Sequence, residues 1–195
     1  MSTREEILSR CRSSIRERYS MPSLDDINPI TWDDPVKQFR QALENAGGKA
    51  VEVPSGSDLG ELIKGLFPQA VSFAGNPAEI PAVNIDPDTV EDVSRMESLD
   101  VGIVRGETGV AENACVWVPQ TMKEKAMCFI CEHLVILLPK SRIVNNMHEA
   151  YRRISFTGYG YGCFISGPSK TADIAQVLVM GAQAARSLTV LLLPE

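Results

Sequence analysis

The chain has 195 residues, of which 44% are hydrophobic and 23% are charged. This length and composition fit one folded domain and exclude an intrinsically disordered chain. Nineteen Lys and Arg residues against twenty-five Asp and Glu residues give a net charge of −6. Because the basic residues show no aromatic interleaving along one face, we do not expect nucleic acid as a partner.

The sequence shows no sign of export or of membrane insertion. The segment from Met1 to Tyr19 is charged and lacks the apolar region of a secretory signal. The apolar run from Leu134 to Leu138 has the length of a strand and falls far short of the roughly 18 residues that a membrane span needs. Five cysteines, an odd number, do not form a typical disulfide framework. We therefore expect a cytoplasmic protein with free thiols.

Helix and connector signals define the first part of the chain. Ser2 or Thr3, followed three residues later by Glu5 or Glu6, is a capping-box signature and predicts an opening helix. The next stretch, from Ser20 to Asp34, is rich in Pro and Asp without a hydrophobic period, which indicates a surface connector. We therefore divide the chain into residues 1–34, an N-terminal helix and connector, and residues 35–195, an α/β domain.

Apolar strands alternate with amphipathic segments along the rest of the chain. The predicted strands are Ala50–Val53, Ala70–Phe73, Val101–Val104, Ala114–Val118, His133–Leu138, Gly162–Ile165 and Leu188–Leu193, with a turn at Gly106–Gly109. The predicted helices are Pro35–Ala46, Ser57–Leu66, Thr89–Val93, Lys123–Glu132, Asn145–Ile154 and Ala172–Ala185. This alternation predicts the α/β class: a single domain whose largely parallel sheet carries helices on both faces, preceded by an N-terminal helical extension.

One corner of this pattern combines several signals of an anion site. The run from Ile165 to Ile174 reads as a strand, a tight loop and the N-terminus of the predicted helix. Unpaired amides and the positive end of the helix dipole, with Lys170 beside them, would attract a carboxylate or a phosphate. A well-capped helix after a core strand explains the same residues equally well, so both interpretations stay open.

Other chemistries find little support in the sequence. The corner lacks the glycine spacing of a P-loop, and it is not the Gly-x-Ser-x-Gly turn of serine hydrolases. Cys128 and Cys131 form a lone C-x-x-C motif without a second pair to complete a zinc or iron–sulfur site. We expect these cysteines to pack in the core, and we expect no metal site on this chain.

Three stretches resemble the LUD-domain family, in particular the lactate-utilisation protein C group. The run Ile165-Ser166-Gly167-Pro168-Ser169-Lys170-Thr171-Ala172-Asp173-Ile174 is similar to that family's signature. A second stretch, from His133 to Val144, resembles the family's His-led strand and Pro-x-x-Arg-Ile-Val corner. The third, Ala111-Glu112, stands where the family usually carries Ala-Glu-Thr-Gly-Thr, although Asn113 and Ala114 replace the Thr-Gly.

The resemblance implies a Rossmann-like fold of the NagB/RpiA/CoA-transferase-like group. It also implies a component of a system that oxidises L-lactate to pyruvate, in which iron–sulfur oxidoreductase subunits are the partners and carry the clusters. No cofactor is then expected on this chain. The corner and the resemblance together give a set of residues expected to bind a small anionic metabolite: Ser166, Gly167, Ser169, Lys170, Thr171, Asp173, His133 and Arg142.

Two other functions stay open. CoA transferases share the fold group and use a Glu nucleophile in a Ser-Glu-Asn-Gly type sequence, which Ala111-Glu112-Asn113 partly resembles. Glu112 is therefore the candidate catalytic residue, and the alternative is a Glu whose carboxylate accepts backbone N–H groups at a turn. The third hypothesis is a binding protein that senses a metabolite without turnover. Assembly into a homo-oligomer also stays open.

Overall fold

The structure is a computed structural model that describes residues 2–17, 19–20, 22–23, 27–174, 177–183 and 185–194, without the side chains of residues 172–178. The α-helices of these residues are α1 (Thr3–Ser14), α2 (Pro35–Asn45), α3 (Leu59–Leu66), α4 (Met127–Ile130) and α5 (Met147–Arg153). The strands are β1 (Lys49–Glu52), β2 (Phe73–Ala74), β3 (Val101–Arg105), β4 (Thr108–Val110), β5 (Val116–Pro119), β6 (His133–Pro139), β7 (Ile143–Val144), β8 (Gly162–Ile165), β9 (Lys170–Ile174), β10 (Val177–Met180) and β11 (Ser187–Leu193).

A parallel sheet in the order β1-β11-β6-β3-β2 forms the centre of the described structure. Its middle strands β6 and β11 are almost wholly buried, as expected for strands covered on both faces. Helix α2 contributes Phe39 and Leu43 to the core on one face, and α3 contributes Ile63 to the core on the other. The predicted α/β class, with helices on both faces, is therefore confirmed.

A second sheet, in the order β7-β4-β5-β8, is an addition that the sequence analysis did not predict. Strand β4 begins at Thr108, inside the segment predicted as a turn, and pairs with β5 antiparallel and with β7 parallel. One face of this sheet joins the α2-side core, while Val110 and Trp117 on the other face pack with α5. Strands this short contain too few residues to show a hydrophobic periodicity in the sequence.

Polar side chains at the chain's turns explain the ends of the helices. Ser2 and Glu5 form the predicted capping box of α1. Asp34 caps α2, which starts at Pro35, and Asp58 caps α3. Helix α1 has no buried residue, so its stability comes from the cap and from its own backbone rather than from packing.

The prediction of a helix from Ala172 to Ala185 is wrong. The structure places β9 and β10 there as an antiparallel pair, with Lys170 opposite Met180; residues 175, 176 and 184 lie outside the described residues. The β-branched residues Thr171, Ile174, Val177 and Val179 favour strand pairing over a helix. The predicted helix at Thr89–Val93 is also wrong, because a short 3-10 helix occupies Val93–Met96 instead.

Asp100 fixes edge strand β2 to β3. Its carboxylate accepts the N–H groups of Val71 at 2.7 Å and Ser72 at 2.8 Å, as well as the Ser72 hydroxyl at 2.9 Å. The two N–H bonds, that of Val71 first, hold the pKa of Asp100 below its ordinary value. This bonding therefore stabilises the fold fully above the unfolded pKa, and the contribution is lost as the pH falls through the lower folded pKa.

We expect Asp100→Asn to lower the free energy of unfolding at pH 7 by about 1 kcal/mol, since a neutral amide accepts these hydrogen bonds less strongly. The difference from the wild-type chain should shrink below about pH 4, where the unfolded carboxyl becomes protonated. Urea unfolding at pH 7 and pH 3 measures both values. A difference that stays constant across this range would contradict the assignment.

Candidate functional site

The predicted anion corner is a packed turn in the structure. The Ser166 hydroxyl donates to the Asn113 carbonyl at 2.8 Å. The Ser169 N–H donates to the Ala185 carbonyl at 2.8 Å, and the Ser169 carbonyl accepts the Gly181 N–H at 2.7 Å. Because β9 follows in place of a helix, no helix N-terminus supplies orphan N–H groups or a positive dipole here.

Gly167 lies directly against the end of α2. Its φ is +67°, and a Cβ at this position would lie 2.5 Å from the Ala46 carbonyl oxygen and 3.1 Å from the Lys170 Nζ. Only glycine adopts this backbone conformation without strain and allows such a close approach. The glycine at this turn therefore has a packing reason. The side chain of Asp173 lies outside the described side chains.

Glu112 lies beside this corner and bonds to the backbone of α5. Its Oε2 accepts the N–H of Met147, the first residue of α5, at 3.1 Å, and its own N–H donates to the Asn145 carbonyl at 2.9 Å. A carboxylate at a helix N-terminus stabilises the helix. Glu112 lies close to Ser166, because the next residue, Asn113, accepts the Ser166 hydroxyl. The Glu112 carboxylate accepts a backbone N–H group, as expected for the alternative to a catalytic role.

A polar cluster at the start of α5, which the sequence analysis missed, holds the connector against the domain. The Trp32 N–H donates to Asn145 Oδ1 at 2.9 Å, and Asn146 Nδ2 donates to the Ile30 carbonyl at 2.9 Å. Glu149 Oε2 in turn accepts the Asn145 N–H at 2.9 Å. The two asparagines before the helical segment were a sequence signal for a helix cap. Their hydrogen bonds to Trp32 and Ile30 could not be predicted, because those residues are more than 100 positions away in the sequence.

His133 stands apart from the corner. It begins β6, at the amino edge of the central sheet, where its Nδ1 lies 2.8 Å from the Ser187 hydroxyl. Its ring stacks on Phe67 with 4.8 Å between the centroids. These contacts lie on the α3 side of the sheet, so the structure does not bring His133 together with Glu112 and Ser166.

The carboxyl edge of the central sheet contains a cavity of about 320 Å³. Apolar side chains form most of its wall, and its polar groups belong to Asn76, Glu79, Asp88, Arg105 and Thr121. Arg105, the last residue of β3, forms an ion pair with Glu79 through Nη2. An apolar cleft with a few convergent polar groups at this edge is the usual form of a ligand site in α/β proteins.

A second cavity of about 240 Å³ adjoins the first, because Arg105 lines both. It is also lined by Arg142, a predicted ligand residue, and by Glu107. Two arginines and one glutamate therefore line this space. In the sequence, Arg105 is a single charged residue at the end of an otherwise apolar strand. Its ion-pair partner, Glu79, comes from a loop that is distant in the sequence.

Comparison with known proteins gives the family. A family model described as the LUD domain matches residues 90–193, which is more than half of the chain. The chain belongs to the LUD domain family. Strands β3 to β11, with Glu112, Arg105 and Arg142, lie inside the matched range, while Glu79 lies before it.

Two curated relatives of this LUD-domain protein are named "Lactate utilization protein C". That of Shouchella clausii (strain KSM-K16) is 34% identical over 100 residues, which cover 48% of this chain and 44% of that protein. That of Geobacillus thermodenitrificans (strain NG80-2) is 28% identical over 178 residues, covering 87% of this chain and 72% of that protein. The first match thus spans less than half of the relative's length.

A solved structure shares the fold. The crystal structure of a DUF162 family protein from Deinococcus radiodurans has a TM-score of 0.66 at 15% sequence identity, covering 85% of this chain and 99% of that chain. The predicted membership in the LUD-domain family and the predicted fold class are both confirmed by these comparisons. Within the part of the chain that the structure describes, no helix is long and apolar enough to span a membrane.

The C-x-x-C motif of this LUD-domain protein is buried. Cys131 is fully buried and Cys128 nearly so. Burial raises the pKa of the Cys131 thiol to about 11. Burial, with smaller contributions from Cys163 and Cys131, raises the pKa of the Cys128 thiol to about 12. Among the described residues no group of three His, Cys, Asp or Glu side chains is placed to hold a metal ion.

We expect a maleimide to label Cys11 fast in the native chain, since this thiol is exposed, and to label Cys128 and Cys131 only after unfolding. The rate depends on access and on the thiolate fraction, and both are low for the buried pair. Mass spectrometry of peptides after timed labelling at pH 8 measures each rate. Labelling of Cys128 as fast as that of Cys11 would show that the motif opens.

Proposed function

We propose that this LUD-domain protein is a component of a system that oxidises L-lactate to pyruvate, and that it acts there with iron–sulfur oxidoreductase subunits. The observation that carries the proposal is the family membership, together with relatives named lactate utilization protein C. We place the protein in the cytoplasm, where lactate metabolism takes place and where free thiols persist.

The cysteine chemistry supports a division of labour in this system. Cys128 and Cys131 form a single C-x-x-C pair, and both side chains are buried. Iron–sulfur clusters need thiolate ligands, typically four. We therefore assign the clusters to the partner proteins and assign to this chain the binding of a small anion and contacts with those partners.

The best-supported position for the anion site is the carboxyl edge of the central sheet. Arg142, one of the predicted ligand residues, lines a cavity there with Arg105. Guanidinium groups bind carboxylates through paired charge-assisted hydrogen bonds. The corner from Ser166 to Thr171 is a weaker candidate for the anion site. The backbone groups of Ser169 pair with Ala185 and Gly181, and a strand rather than a helix follows.

A pull-down tests the partnership. The tagged chain is expected to retain iron–sulfur proteins from cells of the source organism grown on L-lactate, seen as visible absorbance that dithionite bleaches and as iron in the eluate. An excess of untagged chain, as the matched control, should displace these proteins. Retention of no iron–sulfur protein from such cells would contradict the proposal.

No specific observation favours the CoA-transferase function. Glu112 Oε2 accepts the Met147 N–H, and none of the cavities described above is lined by Glu112. A transferase would form a covalent acyl adduct at this carboxylate. Incubation with acetyl-CoA followed by intact mass measurement is expected to show no adduct, and an adduct lost in Glu112→Gln would reinstate the transferase.

A further inference from the structure

The cavity of about 320 Å³ is a crevice at the carboxyl ends of the neighbouring parallel strands β2 and β3. Gly75 follows β2 directly, and Arg105 is the last residue of β3. The loop after β2 forms part of the wall through Asn76, Glu79 and Ile80. The carboxyl ends of the strands are where open α/β sheets bind ligands.

The wall of this crevice is mostly apolar. Residues from three strands or their loops contribute, among them Ile80, Ile103 and Leu137, and Met127 of α4 adds a flexible side chain. The volume exceeds what a three-carbon acid needs, and it lies within the range of sites for larger organic ligands. A hydrocarbon chain would displace water from these surfaces at a gain in binding free energy.

Arg105 supplies the charged end of the crevice. Its side chain is 54% exposed, and its ion pair with Glu79 engages Nη2. A guanidinium carries five N–H donors in a fixed plane, so one carboxylate partner leaves donors for another. Glu79 is the less exposed partner, at 21%, and it holds the Arg105 guanidinium at the mouth of the crevice as a positioning residue.

We propose that this crevice binds monocarboxylates that carry an apolar chain of several carbons. The carboxylate lies on Arg105, with Arg142 of the adjoining cavity as the second cation, and the chain extends between Ile80, Ile103 and Leu137. This inference specifies which class of anion the protein binds. It rests on the proposed function in one respect, namely that the anion is an organic acid.

A homologous series of acids tests the inference. The full chain is titrated by calorimetry with L-lactate and with the straight-chain L-2-hydroxy acids of four, five and six carbons. We expect the dissociation constant to fall roughly fourfold for each added CH₂ that is fully buried in the apolar crevice. Equal affinity across the series, or no binding of any member, would overturn the inference.

Three variants locate the site. Arg105→Gln should weaken the binding of every acid by roughly tenfold or more, because a charge-assisted hydrogen bond is lost. Thr121→Trp fills the crevice from its exposed rim and should abolish the gain with chain length. The matched control is Arg186→Gln, which removes an exposed arginine paired with Glu132 at the opposite edge of the sheet and should bind as the wild type does.

Unfolding temperatures of the three variants distinguish loss of the site from loss of the fold. Unchanged binding in a folded Arg105→Gln variant would place the acid elsewhere and overturn the inference. The outcome is independent of the pull-down. Failure of the acid series with retention of iron–sulfur partners removes this site alone, whereas chain-length-dependent binding without such partners removes the lactate-oxidation role alone.

Discussion

Leu138→Ala is expected to lower the free energy of unfolding by about 2–5 kcal/mol, the range for removing a buried leucine side chain. Leu138 is fully buried near the end of β6. Its side chain fills the space between the two sheets, since its Cδ2 lies 2.7 Å from where a Cβ at Gly109 of β4 would stand. Truncation leaves a cavity there that two rigid sheets close poorly.

Urea unfolding followed by far-UV circular dichroism measures this loss. Leu8→Ala is the matched control, because it removes the same atoms from a side chain of α1 that is 40% exposed. We expect the control to change the free energy of unfolding by less than about 0.5 kcal/mol. Similar losses in the two variants would show that Leu138 does not join the two sheets.

Gly109→Ala is expected to cost about 1–3 kcal/mol through overpacking at the same point. The added methyl group would lie 2.7 Å from Leu138 Cδ2, 3.2 Å from Ile143 Cγ1 and 3.3 Å from Phe39 Cε2. Leu138 is fully buried in a packed core, where a displaced side chain meets neighbouring atoms. In the double variant, however, the new methyl group occupies part of the space that Leu138 leaves.

The double variant Gly109→Ala, Leu138→Ala should therefore lose less stability than the sum of the two single variants, by roughly 1 kcal/mol or more. A double-mutant cycle from the same urea unfolding experiments gives this coupling free energy. Strict additivity would contradict the direct contact between β4 and β6 on which the placement of the second sheet depends.

The parts of the fold that follow from local chemistry were predictable. The capping box of α1 was predictable because Ser2 and Glu5 lie within one turn of each other, and Pro35 marked the first residue of α2. The wholly apolar run of β6 also indicated a strand buried on both faces. From such elements the parallel sheet and its helices followed.

The corner from Ser166 to Ile174 shows where local chemistry misleads. Ser169 and Thr171 can cap a helix, yet the segment pairs with β10, and the Ser169 N–H bonds to the Ala185 carbonyl. Both partners come from later in the chain, and a capping signal contains no information about them. The sequence of the corner correctly indicated the LUD domain family. The expected anion site at the corner, however, depended on a helix that does not form.

Arg105 shows the same limit for the candidate site. Arg142 was predicted as a ligand residue through the family resemblance, whereas the role of Arg105 depends on its ion pair with Glu79 and on the cavity that it lines. That cavity lies between the carboxyl ends of β2, β3 and β6, which only the sheet topology brings together. The residues next to Arg105 in the sequence therefore do not reveal it.

The proposed role in lactate oxidation is tested most directly by lactate-dependent reduction of an electron-acceptor dye in extracts of source cells that lack this gene. Addition of the purified chain should restore the rate of dye reduction to that of wild-type extract, and the Arg186→Gln chain, whose substitution lies at the opposite edge of the sheet, should restore it equally. An extract that oxidises L-lactate at the wild-type rate without the added chain would contradict a role for this protein in lactate oxidation.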